Sequence, residues 1–376
     1  MSERADAKGA PEVTRAPRWR RGLAGCLAAP PLTLLVLLCF VHCTQRGAEP
    51  VLAPHEGAAP VVSEAPPPME AGADRDGDGL DDAQEAALAR RFAPSVRFAG
   101  VDPQGRGGQH NVAERYFPMS VARFLAQLEA GVYEREGQRW LTEPGSFSDE
   151  RVVGYPSFLK GDPPRAAPVY VHVYPGEESG TAFCEYWLFY PYDVAEARFL
   201  GVDIPYGGHR GDWEHAAFKV QINPPRLLGG YFYGHDKCLV VAAEDLERIE
   251  DTHPAVYVSQ GKHASYPNAV VIASVGLPQA IVGHLDVANG LGERWDTWRD
   301  TALIDLGERE QPRDPVARWL GFQGPWGPDG VWLGSIEIGT SATGPTAKRE
   351  WRNNGPGTPW REHLASRGGV LVGAGR

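Results

Sequence analysis

Positive charge is scarce in most of this sequence. The 376 residues hold 37 Lys and Arg against 48 Asp and Glu, and residues 1–46 alone carry seven basic and three acidic side chains. The remainder has 30 against 45, a net −15 that repels phosphate backbones, argues against nucleic acid as a partner and favours cations. The metal-site spacings HExxH and CxxC are missing, as are a phosphate loop and a GxGxxG after a strand, so nothing points to zinc or nucleotide chemistry. No GxSxG elbow marks Ser265 as an activated nucleophile. Cysteine is sparse too: of five, only Cys184 and Cys238 lie beyond residue 43. That excludes a disulfide-built scaffold and leaves one bridge in an oxidising compartment, or two small buried hydrophobes in apolar strand-like runs, as the alternatives. Sequence repeats of 20 to 50 residues are absent.

Glycine and proline are abundant, at 45 and 33, which argues against a helical bundle. Hydrophobic residues make up 42% and include 11 Trp, 13 Tyr and 13 Phe, enough for one large core or two smaller ones. At the start, Arg15, Arg18, Arg20 and Arg21 precede the apolar run Leu23–Cys43. This reads as an export signal with a basic leader. At roughly 20 residues the run is also long enough to stay as a membrane anchor with its positive side inside. Leu23-Ala24-Gly25-Cys26 resembles a lipoprotein box but stands before the run, and Cys43 follows Phe40-Val41-His42 rather than small residues. Residues 44–73, rich in Pro, Ala and Glu, read as a disordered spacer.

The spacer ends at Asp74-Arg75-Asp76-Gly77-Asp78-Gly79-Leu80-Asp81-Asp82-Ala83-Gln84-Glu85. Oxygen side chains fall at loop positions 1, 3, 5, 9 and 12, with Gly79 at position 6, and this spacing is that of a calcium loop. The expected ligands are Asp74, Asp76, Asp78, the Leu80 carbonyl, Asp82 and Glu85. No helix precedes the loop and Asp81 replaces the apolar residue of paired EF-hands, so it resembles the single loops of thrombospondin type 3 repeats. A helix is expected through Ala83–Phe92. The alternative is a solvated acidic linker.

Residues 86–376 carry short β-branched and aromatic runs separated by Gly, Pro and Asn. Strands are expected at 168–174, 182–190, 212–222, 228–234, 237–242, 254–259, 269–274 and 331–338, with helices at Ser120–Ala130 and Ala243–Ile249. The fold class is mainly β: an antiparallel β-sandwich with peripheral helices, preceded by the export signal and disordered linker.

The densest chemistry is Gly208-His209-Arg210-Gly211-Asp212-Trp213-Glu214-His215. On a strand Asp212 and Glu214 share one face while Trp213 and His215 share the other. His209, on a Gly-flanked turn, and Asp193, closing the preceding strand, can join the two carboxylates. Such a hard set suits Ca2+, Mg2+ or Mn2+, with a salt-bridge cluster around Arg210 as the alternative. Ser259-Gln260-Gly261-Lys262-His263-Ala264-Ser265-Tyr266 adds His263 and Tyr266 as ligand-binding candidates, and His263 or His215 as a proton carrier. Trp187, Tyr206, Trp213 and Tyr266 can stack on a sugar if exposed; core packing is the alternative.

Several ordered motifs resemble the vacuolar protein sorting-associated protein 62 family. They are Phe92-Ala93-Pro94, Tyr116-Phe117-Pro118, Tyr186-Trp187-Leu188-Phe189-Tyr190-Pro191-Tyr192, Gly211-Asp212-Trp213-Glu214-His215, His263-Ala264-Ser265-Tyr266-Pro267 and Gly324-Pro325-Trp326-Gly327. The heptapeptide Gly208–Glu214 is also similar to the signature of necrosis- and ethylene-inducing-like proteins, secreted sandwich cytolysins that hold a divalent cation for docking on lipid sugar headgroups. That resemblance implies a cation at His209, Asp212, Glu214 and Asp193, with Asp203 as a rival to Asp193. Gly211 departs from the signature, which has a second His there.

The expected function is an exported or surface-anchored protein binding a glycan or lipid headgroup through a divalent cation, with separate structural Ca2+ in the 74–85 loop and membrane contact through the N-terminal segment. The alternatives are a metal-dependent hydrolase and a purely structural envelope module. Gly283–Arg313 is either a lid over the site or a surface loop.

Overall fold

The computed structural model describes residues 72–371 except 128–132, 136–137, 142–156, 200, 235–236, 275–283, 300, 314–315, 317–318, 328–331, 334–335, 338–341, 354–356 and 368–369. All described residues belong to one compact unit within residues 58–376. The export segment and residues 44–71 of the spacer lie outside the described residues.

In chain order the main elements are α1 (Asp82–Phe92), β1 (Ser95–Arg97), α2 (Val121–Gln127), β2 (Val169–Pro175), β3 (Thr181–Phe199), β4 (Val202–Gln221), β5 (Arg226–Gly234) and β6 (Lys237–Ala242). There follow β7 (His253–Val258), β8 (Ser265–Tyr266), β9 (Val270–Ser274), β10 (His284–Ala288), β11 (Arg294–Asp296), β12 (Leu303–Asp305), β13 (Gly357–Pro359) and α3 (Trp360–Arg367). Helix α1 starts where Asp81 accepts hydrogen bonds from the Ala83 and Gln84 amides, and it ends at Phe92, two residues before Pro94, whose predecessor Ala93 avoids helical geometry.

A seven-stranded sheet in the order β12-β2-β3-β4-β5-β6-β13 forms the middle of the molecule. Period-2 alternation gives it two apolar faces. On one, Val169, Val171, Cys184, Tyr186, Leu188, Ala216, Phe218 and Phe232 pack with Val96, Val256, Val258 and Trp295 of a second sheet, β8-β7-β1-β11, making a sandwich. On the other, Tyr170, Trp187, Phe189 and Trp213 meet Phe124 of α2 and the loop residues Trp319, Trp326 and Trp351. The second face is therefore an aromatic layer, with Trp213 5.2 Å from Trp319 and 5.3 Å from Trp326 between ring centroids.

Three sequence expectations need correction, and one open alternative is resolved. The sheets are mixed rather than purely antiparallel: β12 pairs with β2, β13 with β6 and β1 with β7 in parallel, because segments distant in sequence fill those positions. Ala243–Ile249 is not a helix. A 3-10 turn at Ala243–Asp245 is followed by buried Leu246 and a short strand, Arg248–Ile249, which pairs with His253 and Pro254. The stretch Gly283–Arg313 is neither lid nor surface loop, since it supplies β10, β11 and β12 to three different sheets. Of the two alternatives for the cysteines the second holds: Cys184 and Cys238 are buried and no disulfide joins them. They lie on β3 and β6, three ladder steps apart at about 4.8 Å each, well beyond disulfide reach.

The other expected strands form close to where they were read. The described part of the Ser120–Ala130 helix is α2, whereas the single strand expected at 331–338 is two short antiparallel strands, Trp332–Leu333 paired with Ile336–Glu337. The sequence reading missed β1, β8, β10, β11, β12 and β13, none longer than five residues, and α3.

Candidate functional site

Strands β3 and β4 form one hairpin of 19 and 20 residues, longer than the expected strands. Pairing places Tyr190 opposite Asp212 and Asp193 opposite His209. His209 thus sits inside a strand rather than on a turn, and Asp193 lies mid-strand beside a bulge between Asp193 and Ala195. His209 Nε2 is 3.9 Å from Asp193 Oδ2, while Asp193 Oδ1 is paired with the Lys262 ammonium. The side chains of Asp203 and Tyr206 lie outside the described residues.

The loop Ser259–Ala264 delivers the next group. His263 is fully buried and in the left-handed region at φ 55°, an unusual backbone for a bulky residue. Its ring lies flat on Tyr190 at 3.7 Å, with Nδ1 3.5 Å from Asp212 Oδ2 and Nε2 3.9 Å from Glu114 Oε1. Glu114 accepts hydrogen bonds from the amides of Arg115, Tyr116 and Gly261, so it ties the loop to the segment before α2. Val194 N–H donates to the Gly261 carbonyl and fastens the loop to β3 as well.

One ligand atom each from Asp193, Asp212 and His263 lies within 4.8 Å of the others, and all three residues are buried. Asp212 Oδ2, both His263 nitrogens, the Tyr190 hydroxyl and Ser259 Oγ make no hydrogen bond despite burial. Burial alone would drive His263 neutral, but the Asp212 and Glu114 carboxylates raise it to about 10. Burial opposes ionisation of Asp212 as well, yet His263, His209 and Lys348 hold it down at about 2. Tyr190 is pushed well above the usual tyrosine range by burial and by facing Glu114, Glu214 and Asp212. The site is a concentration of negative charge walled by sheet, with half-buried His209 and Glu214 at its rim.

The strand alternation holds: Trp213 and His215 are on the aromatic face, opposite Asp212. His215 is stacked between Trp187 and Tyr233 at 3.7 and 4.0 Å, and burial lowers it well below the usual histidine range. It does not reach the Asp212 group. Tyr266 is core, its hydroxyl donating to Asp286 Oδ2 at 2.7 Å. Trp187 and Trp213 are fully buried, so neither they nor Tyr266 offers a sugar-stacking face. Sequence reasoning missed Glu114, because nothing in its spacing ties it to a motif almost a hundred residues later.

In the 74–85 loop, Asp74 accepts from the amides of Gly77 and Gly79, and Asp78 from that of Leu80. Asp74, Asp76 and Asp78 converge, as do Asp76, Asp82 and Glu85. The Asp82 carboxylate is engaged by the Arg75 amide, by Arg75 Nε and by Arg313 Nη2.

A profile of the family described as vacuolar protein sorting-associated protein 62 matches residues 134–340, just over half of the chain. A comparison with curated proteins finds no match. Similar solved structures include necrosis and ethylene inducing protein 2 from the causal agent of cocoa's witches' broom disease, at 17% identity over 58% of this chain and 72% of that one, with a TM-score of 0.26. NLPPya in complex with mannosamine is 12% identical over 80% of this chain and 95% of that one, with a TM-score of 0.35. The same protein with glucosamine gives 12%, 80%, 95% and 0.33.

Proposed function

The chain belongs to the vacuolar protein sorting-associated protein 62 family, and on that premise we propose an exported or surface-anchored protein that binds a hydroxyl-rich polar ligand through a divalent cation. The ligand class is a sugar, either a free glycan or a lipid headgroup. The observation that carries this reading is the buried meeting of Asp193, Asp212 and His263 from two strands and a loop, with Asp212 Oδ2 and both His263 nitrogens making no hydrogen bond. Three such groups would hold the cation, and half-buried His209 and Glu214 would stand at its open side. The oxygen-rich set with a single imidazole suits Ca2+, Mg2+ or Mn2+.

When bound, the ion supplies positive charge and coordination positions that vicinal hydroxyls can fill. The protein's own part is to hold the donors before the ligand arrives. Glu114 anchors Gly261 and thereby the loop carrying His263, Tyr190 braces the imidazole ring, and Lys262 balances Asp193; with the ion bound, His263 gives up its proton and serves as a neutral donor. A metal-dependent hydrolase would need a proton carrier at the same place. His215 is on the wrong face for that, which leaves His263 alone and makes ligand docking the better supported reading.

The test is binding of the purified full chain to vesicles with and without glycosylated headgroups, in Ca2+, Mg2+, Mn2+ or chelator, with free glycan as competitor. Cation-dependent binding that falls at least tenfold in Asp212→Asn/Glu214→Gln is expected. Competition by free glycan would assign a soluble sugar, and its failure a headgroup in a bilayer. Binding unaffected by chelator and by the double variant would overturn the proposal.

A further inference from the structure

The 74–85 loop belongs to no part of the site above, yet it is built into the body of the molecule. Its geometry begins with local hydrogen bonds: Asp74 gathers the Gly77 and Gly79 amides, and Gly79 takes φ 98°, a conformation side chains resist. The chain then passes directly into α1, so Glu85 on the first turn is carried back toward the loop.

Six carboxylates gather here: Asp74, Asp76, Asp78, Asp82 and Glu85, with Asp305 at the end of β12 acting on Asp76 and Glu85. Two guanidinium groups answer them. Arg75 pairs with Asp82, and Arg313 Nη2 lies 2.5 Å from Asp82, 3.3 Å from Glu85 and 3.4 Å from Asp76, while its Nε holds Asp305 at 3.0 Å. The acid-to-base ratio leaves excess negative charge.

Excess charge alone does not make a site, but a second observation does. Neither oxygen of Asp76 accepts a hydrogen bond, and neither does Glu85 Oε1, although Asp76 is 4% and Glu85 3% exposed. A buried carboxylate oxygen normally meets donors, and leaving it without them is unfavourable. Burial together with the neighbouring carboxylates raises Asp76 to about 6 and Glu85 to about 9, against the Arg313 charge that lowers both. The oxygens are thus arranged for something that accepts lone pairs rather than supplies them.

We infer that residues 74–85 form a second, independent cation site, selective for Ca2+, whose shell draws on Asp74, Asp76, Asp78, the Leu80 carbonyl and Glu85. Asp82, held by Arg75 and Arg313, positions the loop instead of ligating. The donors are all oxygen, so the ion must be hard, and several carboxylates on a flexible glycine loop suit the six to eight ligands of Ca2+ better than the octahedron of Mg2+. Arg313 and Asp305 flank the short hairpin Gly307–Glu308/Gln311–Pro312, so the ion would fasten the start of α1 to the β12 edge of the main sheet. Its role is to hold the N-terminal junction of the folded body.

The experiment is calcium binding by the purified full chain, titrated with Ca2+ alone and with Mg2+ alone, followed by calorimetry and by thermal unfolding. The parent should take up one ion through this loop with a rise in the unfolding midpoint that Mg2+ at equal concentration fails to reproduce. Glu85→Gln and Asp74→Asn should each lose that ion, whereas Asp212→Asn should keep it. Because Asp74 is exposed, its variant folds even if Glu85→Gln does not. An unchanged calcium stoichiometry in Asp74→Asn and Glu85→Gln, or equal stabilisation by Mg2+, would overturn the inference. Loss of calcium only in Asp212→Asn would do the same, while supporting a cation at the ligand-docking site.

Discussion

Gly211 shows how one residue fixes the geometry of the Asp212 site. It takes φ 63°, and a Cβ at this position would lie 2.6 Å from Trp326 Cβ in the aromatic layer. The close approach explains why this chain has no side chain here, where the cytolysin signature has a second His. Gly211→Ala is expected to destabilise the fold by about 2 kcal/mol or more, from backbone strain and overpacking together. Denaturant unfolding checks this, and a midpoint within error of the parent would show that Trp326 moves aside. At the same scale Asp81→Ala removes the two caps on α1 and should cost about 1 kcal/mol. Its check is the same unfolding curve, recorded in chelator so that calcium does not mask the loss.

At the scale of elements, the buried network on the aromatic side of β2 and β3 sets a pH response. His172 Nδ1 lies 3.1 Å from Glu185 and Nε2 3.1 Å from Glu308, with Trp351 stacked on the ring at 4.0 Å. Tyr174 and Trp187 donate to Glu185, and Arg352 Nε to Glu308. Burial disfavours the imidazolium, but the two glutamates outweigh it and raise His172 to about 9. Burial would raise Glu308, yet His172 and Arg352 bring it down to about 2. A raised histidine stabilises fully below its unfolded value near 6.5, and this is lost as pH climbs through 9. A lowered glutamate stabilises fully above about 4.5 and is lost as pH falls through 2. The contribution of this network, read as the difference in unfolding midpoint between the parent and His172→Gln, should therefore be greatest between about pH 4.5 and 6.5 and decline on both sides. His172→Gln should flatten the alkaline limb between pH 6.5 and 9, and an unaltered limb would refute the assignment.

Elements also show what the sequence could tell. Strands β2 to β7 were legible because apolar alternation and Gly or Pro punctuation are local signals. The placement of Trp213 and His215 against Asp212 followed from period 2 alone. By contrast β1, β11 and β12 are too short for any period to register, and their respective partners Ala255, Val96 and Val169 lie far away in sequence. Of the candidate site, Asp193, Asp212 and His263 could be named one by one. Their meeting depends on hairpin register and on the bend at His263, and Glu114 arrives only through tertiary packing.

For the whole molecule, no disulfide joins Cys184 and Cys238, the two cysteines among the described residues, so the described body is held together without a redox-sensitive bridge. Reductant should leave the unfolding midpoint unchanged, and Cys184→Ala should behave as a small cavity in the sandwich core, costing about 1 to 2 kcal/mol. A fall in the midpoint on adding reductant would contradict the three-strand separation. The sandwich is also assembled from distant parts of the chain: β2 to β6 run nearly consecutively, but the strands bordering them on either side, β12 and β13, come from residues 303–305 and 357–359. During synthesis, then, the central sheet exists with both margins bare until the last quarter of the chain emerges. A ribosome stalled before residue 300, or a protease that clips there, would leave two rows of unsatisfied amides and carbonyls open to other chains. Such products should be sticky and short-lived, and a chaperone engaged through this interval would be guarding the flanks of the sheet more than its core.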